Sequence, residues 1–194
     1  MTGKIRIIAG RWRGRRLEVP DRPGLRPTGD RARETLFNWI GPRVIGARVL
    51  DLFAGTGALG LEAASRGAAR VVLVERDAVA AGVLRKGALQ WPGSESVEVI
   101  EADALRWLER QQQRFDLVLI DPPFDGALLE PALSMVVAPA GCLADRGLVY
   151  VECAPQQLPG HWPPPLEVFR QKQLGQVTLT LLQRSLDASG TPGD

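Results

Sequence analysis

The sequence predicts an α/β protein with a mostly parallel, seven-stranded sheet that ends in an antiparallel hairpin. Three observations lead to this prediction. From residue 48 onward, short apolar runs alternate with stretches of helical periodicity, which is typical of parallel strands covered by helices on both faces. After residue 151 the alternation stops, and two strand-like runs follow with only a glycine turn between them. A basic segment before residue 48 predicts a small N-terminal extension.

The first 43 residues are predicted to form this basic extension, which consists of a strand hairpin and one helix. Residues 4–9 and 17–19 are the strands, on either side of an arginine-rich turn. A loop rich in Pro and Gly follows over residues 20–27. Thr28 or Asp30 then caps a helix that ends at a Gly-Pro pair.

Residues 44–184 are predicted to form the main domain of alternating strands and helices. Its parallel strands are predicted at residues 48–53, 70–74, 97–100, 115–120 and 148–151. The helices are predicted at residues 58–66, 77–89, 104–111 and 129–137. Five prolines between residues 155 and 165 argue against another crossover helix, so residues 166–174 and 177–183 are predicted to pair as a hairpin. Residues 185–194 are predicted to be a disordered tail.

The composition is that of an ordinary globular protein, with 45% hydrophobic and 24% charged residues. No apolar run approaches the roughly 18 residues of a membrane helix, and the N-terminus lacks the apolar core of a signal peptide. Cys142, Cys153 and His161 are the only Cys and His residues, which leaves no metal-ligand spacing and no disulfide framework. The sequence therefore predicts a cytoplasmic, reduced protein without a metal.

The net charge of +2 hides a strong asymmetry along the chain. Residues 1–48 hold 12 Lys and Arg against 4 Asp and Glu, whereas residues 49–194 hold 12 against 18. A basic arm on an acidic body favours a polyanionic partner. The run RWRGRR supplies the candidate phosphate contacts Arg11, Trp12, Arg13, Arg15 and Arg16. For Trp12, packing against the body of the protein is an equally good interpretation.

The segment DLFAGTGALG, residues 51–60, predicts a ligand-binding turn between a strand and a helix. Its G-x-G-x-x-G spacing allows a tight turn and a close backbone approach to a ligand. Glu75 ends the next strand, where a carboxylate can hold the two hydroxyls of a ribose. Asp103 follows the third strand and is a candidate both for contact with an adenine amine and for a helix N-cap.

Both NAD and S-adenosylmethionine would explain the glycines and Glu75. The acid at Asp51 favours S-adenosylmethionine, because a carboxylate can hold its cationic amino-acid end but would repel the pyrophosphate of NAD. The predicted terminal hairpin also differs from a second dinucleotide-binding half.

The tetrapeptide Asp121-Pro122-Pro123-Phe124 directly follows the fourth apolar strand. Each proline fixes its own backbone and restricts the residue before it, and Pro122 offers a carbonyl acceptor but no N–H. Asp121 adds carboxylate acceptors, and Phe124 adds a face for stacking. The segment therefore predicts a clamp for a flat ring that carries an amine, beside the position of a transferable methyl group. A strand-ending turn with an aromatic plug is the alternative.

These segments together resemble those of class I S-adenosylmethionine-dependent methyltransferases, and more closely those of the bacterial RsmD family. The matching segments are IAGRWRGR at residues 8–15, RPT at 26–28, DRARETLFNW at 30–39, the glycine loop at 51–60, residues 62–63 and 65–68, Glu75, and residues 121–124. The glycine and proline loops identify only the superfamily. The two N-terminal segments narrow the resemblance to RsmD.

The resemblance implies a Rossmann-like class I methyltransferase fold. It also implies an enzyme that methylates N2 of guanine 966 in 16S ribosomal RNA, and this RNA is either free or part of a partly or fully assembled small subunit. The implied cofactor contacts are Asp51, Phe53, Ala54, Gly55, Thr56, Gly57, Glu75, Arg76, Asp103 and Ala104. The implied catalytic residues are Asp121, Pro122 and Phe124. RNA contact is implied for the basic arm and for Arg31 or Arg33, although a folded cap explains the helix of these two arginines equally well.

Three other functions remain open from the residues alone. An amino-methyltransferase of DNA or of another RNA, acting on adenine N6 or cytosine N4, would share the proline loop. An NAD-dependent oxidoreductase would share the glycine loop but would lack residues to handle its substrate. A non-catalytic RNA-binding module would have no use for Asp121.

Overall fold

The computed structural model describes residues 3–19, 29–123 and 127–185, and it confirms the predicted α/β fold. The expectations for residues 20–28, for Phe124 and for the tail beyond Ser185 lie outside the described residues. No helix in the described part of the chain is long and apolar enough to cross a membrane.

The elements follow the predicted order. The strands are β1 (Gly3–Arg6), β2 (Arg16–Val19), β3 (Arg48–Asp51), β4 (Arg70–Glu75), β5 (Val97–Glu101), β6 (Phe115–Ile120), β7 (Leu143–Cys153), β8 (Leu166–Leu174) and β9 (Val177–Arg184). The α-helices are α1 (Asp30–Ile40), α2 (Ala58–Ser65), α3 (Ala78–Gly87), α4 (Ala104–Leu108) and α5 (Leu129–Val137). The N-cap position of α1 is Gly29, so Asp30 is its first helical residue and not its cap.

The main sheet has seven strands in the order β5-β4-β3-β6-β7-β9-β8. Strands β3 to β7 are parallel, and the hairpin of β8 and β9 adds antiparallel pairs at one edge. Both faces of the sheet are buried: Val49 in β3 packs on one side, with α1 and α2, and the adjacent Leu50 packs on the other, with α5. This burial on both faces explains why the central strands are continuous apolar runs and do not alternate.

The N-terminal hairpin of β1 and β2 packs onto the same core as the sheet. Ile5, Ile7 and Leu17 are buried in the cluster that contains α2 and the sheet. Trp12, at the turn, is only 1% exposed; its Nε1–H donates to the carbonyl of Pro92 at 2.8 Å, and its ring meets Trp91 edge-on. Trp12 is therefore a packing residue, which is one of the two interpretations of the sequence, and the prediction that it contacts phosphate is corrected.

The turn of the hairpin lies directly against the end of α2. The Trp12 N–H donates to Ser65 Oγ at 2.9 Å, and the Ser65 hydroxyl donates to the Ala9 carbonyl at 2.5 Å. Gly10 has φ +80°, and a Cβ there would lie 1.9 Å from the Ser65 carbonyl oxygen. Only glycine permits both this backbone conformation and this close approach.

Glu62 on α2 joins the hairpin and α1 to the main domain. Its side chain is fully buried and accepts the N–H groups of Ile8 and Ala9 at 2.8 and 3.0 Å. Arg66 Nε donates to it at 2.8 Å, and Arg33 Nη1 lies 3.5 Å from it. Pairing and hydrogen bonds of this kind offset the cost of burying a carboxylate.

Arg33 is the second residue for which the prediction of RNA contact is wrong. Its side chain is only 1% exposed and lies between Glu62 and Asp30, with Nη2 2.5 Å from the Asp30 carboxylate. A cation that is buried against two acids cannot reach a phosphate on the surface, so Arg33 has a structural role.

Replacement of Glu62 by Gln should therefore destabilise the protein strongly. The change removes the charge opposite buried Arg33 and one of the two acceptors for the hairpin amides, and removal of one partner of a buried pair costs about 3–5 kcal/mol. The matched control is Glu98→Gln, because Glu98 pairs with Arg70 at 2.8 Å with both side chains half exposed, and such a pair contributes at most about 1 kcal/mol. Urea unfolding measures both variants, and equal decreases in stability would show that Glu62 is not a central support.

Candidate active site

The carboxyl ends of the parallel strands meet at one edge of the sheet, and acidic residues lie at several of these ends. Asp51 ends β3, Glu75 ends β4, Asp121 follows β6, and Glu152 is the penultimate residue of β7. The strands β3 and β6 are neighbours although β4 and β5 lie between them in sequence, so the strand order reverses at this point. Ligands of open α/β sheets bind at such a switch point, and a cavity of about 880 Å³ opens here.

This cavity brings together most of the predicted cofactor and catalytic residues. Its walls include Asp51, Phe53, Ala54, Gly55, Thr56, Glu75, Arg76, Asp103, Ala104, Asp121, Pro122 and, from α1, Arg31. Gly57 is not part of the wall; it has φ +74° and occupies the N-cap position of α2. The arm residues Arg11, Arg13, Arg15 and Arg16 lie outside the cavity.

Glu75 fixes the shape of the glycine loop. One of its carboxylate oxygens accepts the Gly55 N–H at 2.7 Å, and the other accepts the Asp77 N–H at 2.7 Å. The Ala54 N–H donates to the carbonyl of Val74 at 2.9 Å, which holds the loop against the end of β4. Each carboxylate oxygen has a second lone pair, so this structural role is compatible with the predicted contact to a ribose.

Asp51 is a buried acid with an incomplete set of hydrogen bonds. Its carboxylate is 1% exposed, and Oδ2 accepts the Gly60 N–H at 2.9 Å. Oδ1 is buried and has no hydrogen-bond partner. Burial raises the pKa of Asp51 from 3.8 to about 7, against the opposing effect of the Gly60 hydrogen bond and with a further rise from the charge of Glu75. A cationic group in the cavity would donate a hydrogen bond to Oδ1, and its positive charge would stabilise the ionised carboxylate.

Asp103 has the N-cap role that is one of its two predicted functions. Its side chain accepts the N–H of Arg106 at 3.1 Å at the start of α4. It also lines the cavity, so its position remains compatible with contact to an adenine amine. That contact stays a prediction.

The end of the cavity beside Asp121 contains a second acidic residue, Glu152. The hydroxyl of buried Tyr150 donates to Glu152 Oε2 at 2.8 Å. Burial, and then the charges of Glu152 and Asp121, raise the pKa of Tyr150 well above its usual value. Burial and the same two carboxylates raise the pKa of Cys153 to about 11. Ile120 lies opposite Val151 in the pairing of β6 with β7, so the two acids occupy matching positions on adjacent strands.

Several residues of the cavity wall are not singled out by the sequence. Besides Glu152, these include Asp77, Leu105, Leu128 and residues 172–177 at the tip of the β8–β9 hairpin. Glu152 lies at the end of an apolar strand just as Asp121 follows one, so the strand-end rule applies to it as well. The hairpin tip has no local motif, because it reaches the cavity only through the pairing of β9 with β7.

The exposed arginines of the N-terminal turn lie over a pair of tryptophans. The Arg11 guanidinium is 4.6 Å from the Trp12 ring centroid and donates to Ser96 Oγ at 2.8 Å. The Arg15 guanidinium is 5.7 Å from the Trp91 centroid. These interactions hold two cations at the surface in defined positions. Among the described residues, no group of three or more His, Cys, Asp and Glu could hold a metal ion.

Comparisons with known proteins cover nearly the whole chain. The family model "Conserved hypothetical protein 95" matches residues 5–183. Ribosomal RNA small subunit methyltransferase D of Escherichia coli K12 is 44% identical over 188 residues, which is 94% of this chain and 91% of that protein. The Haemophilus influenzae protein of the same name is 42% identical over 93% of this chain and 94% of its own length. The solved structure of yhhF from Escherichia coli has a TM-score of 0.86 and 43% identity over 95% of this chain and 100% of that one.

The raised pKa of Asp51 predicts a pH dependence of stability for the protein without ligands. Between pH 4 and 7 the folded carboxyl retains a proton that the unfolded chain, with its ordinary pKa of 3.8, has released. Folding stability from this group is therefore present at low pH and is lost as the pH rises through about 7. From pH 5 to 7.5 the decrease should be about 2–3 kcal/mol.

Urea unfolding of the wild type and of Asp51→Asn at these two pH values measures this decrease. The variant lacks the titrating group, so the difference between the two stabilities isolates Asp51 from all other acids. Parallel pH profiles would show that Asp51 titrates normally.

Proposed function

The chain belongs to the ribosomal RNA small subunit methyltransferase D family, and from this premise we propose that it transfers a methyl group from S-adenosylmethionine to small-subunit ribosomal RNA. We propose further that the acceptor is the exocyclic N2 amine of a guanine, which the sequence resemblance gives as guanine 966 of 16S ribosomal RNA.

One observation carries this proposal: a single cavity is lined both by a buried carboxylate that lacks a hydrogen-bond partner and by further acceptors at the neighbouring strand end. Asp51 supplies a buried carboxylate with an unpartnered oxygen. Asp121 and Pro122 supply acceptors at the neighbouring strand end. The size of the cavity, about 880 Å³, lies within the usual range for cofactor-sized ligands.

The cofactor residues fit S-adenosylmethionine better than NAD. Asp51 Oδ1 would pair with the cationic amino group, which satisfies the orphaned acceptor and restores the carboxylate charge. Glu75 would accept the ribose hydroxyls, and Asp103 would lie near the adenine amine. A pyrophosphate in the same place would meet the negative charge of both Asp51 and Glu75, which disfavours NAD.

Bound S-adenosylmethionine supplies a methyl group on a positively charged sulfur. The protein must present the amine correctly, because the lone pair of N2 is delocalised into the guanine ring. Asp121 and the Pro122 carbonyl accept the two amine hydrogens and turn the lone pair toward the methyl group. For Phe124, which lies outside the described residues, the proposed role is to stack on the ring. Most of the rate gain then comes from orientation and from acceptors that are already in place.

No strong base is required before the methyl group moves. The amine becomes acidic as its nitrogen forms the new N–C bond, and the sulfur leaves as a neutral thioether. The surplus proton then passes to Asp121 or to water. A base that takes part in this reaction must be unpaired or must leave its stack to enter the cavity.

RNA contact is proposed for the basic extension, residues 1–43, with Arg11, Arg13, Arg15 and Arg16 as its phosphate contacts. All four side chains are exposed, and the stacking of Arg11 and Arg15 on tryptophan rings holds their charges in place. Arg31 is exposed on α1 and lines the cavity, so we propose that it joins the arm to the active site.

Replacement of Asp121 by Ala should lower the rate of methyl transfer by about a hundredfold or more, as for the removal of a preorganised hydrogen-bonding group. Binding of S-adenosylmethionine and of RNA should change far less, because this interaction matters chiefly in the transition state. Single-turnover methylation with saturating cofactor and RNA is the measurement. Asp145→Ala is the matched control, since Asp145 is exposed near the start of β7, at the opposite end of the sheet. A rate near that of the wild type would contradict the proposed mechanism.

Replacement of Arg11, Arg13, Arg15 and Arg16 together by Gln should weaken RNA binding and flatten its salt dependence. The slope of log affinity against log salt should fall by about 0.7–0.9 for each phosphate that the protein no longer neutralises. The control removes four exposed arginines near the amino ends of the strands, Arg43, Arg48, Arg70 and Arg146. An equal change in slope for both sets would assign the effect to net charge alone, and affinity for S-adenosylmethionine should stay the same in both.

A further inference from the structure

Glu152 lies where a second acceptor would meet the target base. Strands β6 and β7 remain in register up to Ile120 and Val151, so Asp121 and Glu152 follow directly on two adjacent parallel strands. Adjacent strands lie about 4.8 Å apart. Glu152 is only 8% exposed, yet it lines the cavity together with Asp121.

A hydrogen bond from Tyr150 fixes the position of the Glu152 carboxylate. The two residues lie two positions apart on β7 and therefore face the same side of the sheet. The buried Tyr150 hydroxyl donates to Glu152 Oε2 at 2.8 Å. Because burial and neighbouring charges keep the pKa of Tyr150 high, the phenol retains its proton and remains a donor. Glu152 is therefore an oriented acceptor at the wall of the cavity.

Among the acids of the described cavity wall, Glu152 is the one to which the proposed cofactor contacts and the proposed mechanism give no role. Glu75 and Asp51 hold the glycine loop and the start of α2. Asp77 caps α3, and Asp103 caps α4. Glu152 belongs to the strand next to Asp121, on the side away from Asp51.

We propose that Glu152 selects guanine by accepting the hydrogen on its ring nitrogen N1. This inference rests on the proposed function and specifies how the site distinguishes its base. Guanine presents the N1–H and the N2 amine side by side, so two adjacent acids can accept from both. Adenine and cytosine present a ring nitrogen lone pair beside their amine, and that lone pair would face the Glu152 carboxylate. The same acid therefore favours guanine and disfavours the other amino-bearing bases.

The magnitude of this selection is considerable, because a site that is built to accept a hydrogen bond rejects analogues that cannot donate it. Enzyme sites of this kind reach preferences of several orders of magnitude, since the analogue leaves a buried polar group unpaired. Glu152 is thus a specificity-determining residue, whereas Asp121 orients the amine that reacts.

The test uses target RNA that carries either guanine or 2,6-diaminopurine at the methylated position. The analogue retains the N2 amine, but its N1 has a lone pair in place of the hydrogen, and its C6 carries an amine in place of the carbonyl oxygen. Because the C6 change is the same for every variant, the change in preference between wild type and Glu152→Gln reports on N1. The wild type should methylate guanine at least about tenfold faster than the analogue in single-turnover assays. Glu152→Gln carries both an acceptor and a donor, so it can pair with either base, and the preference for guanine should fall by about tenfold or more.

Two further variants distinguish a role of Glu152 in choosing the base from a role only in holding the site in shape. Glu152→Asp retains the carboxylate, so the guanine preference should persist even at a lower rate. Tyr150→Phe removes only the hydrogen bond that fixes Oε2, and it too should lower the rate while retaining the preference. If Glu152→Gln does not fold, Glu152→Ala makes the same test, because removal of the acceptor should also narrow the preference.

The outcomes distinguish this inference from the function on which it rests. A wild-type protein that does not methylate guanine N2 would overturn the proposed function, whatever Glu152 does. A wild-type protein that methylates guanine N2, together with a Glu152→Gln variant of unchanged preference, would overturn the role of Glu152 alone.

Discussion

The buried carboxylate of Glu62 is the interaction on which the arrangement of the described N-terminal hairpin and of α1 depends. It accepts two backbone amides of the hairpin and faces the cations Arg33 and Arg66. The two N-terminal segments that narrowed the sequence resemblance meet at this one side chain. Much of their sequence pattern is therefore explained by packing, including Gly10 against Ser65, and not by contact with a substrate.

Two of the acids at the strand ends form hydrogen bonds that hold the backbone of the glycine loop and of α2. Glu75 holds the glycine loop through two backbone amides, and Asp51 holds the start of α2 through Gly60. Both acids retain capacity for a ligand after these bonds are made. In the proposed function, the same carboxylates shape the glycine loop and present acceptors to the cofactor. The burial that this requires of Asp51 raises its pKa to about 7.

The sequence pattern within each short segment is sufficient to predict the fold and the acids at the strand ends, because the residues that form a parallel strand and the turn after it are neighbours in sequence. Asp51, Glu75 and Asp121 are predicted in this way, and the cavity contains all three. Local pattern fails for Trp12 and Arg33 because their partners are distant in sequence: Pro92 for one and Glu62 for the other. A cationic or aromatic residue in a basic segment looks exposed until such a partner is known. The hairpin tip at residues 172–177 escapes prediction for the same reason.

Helix α2 sets the distance between the glycine loop and the arginine-rich hairpin of the proposed site. Its first turn follows Gly57 of the glycine loop, and its last turn carries Glu62 and Ser65, which hold the arginine-rich hairpin. Its eight residues span about 12 Å at 1.5 Å each. One residue inserted or deleted there would swing the hairpin by about 100° around the helix axis. The geometry between the arm and the glycine loop therefore changes only in steps of one residue, each with a large rotation.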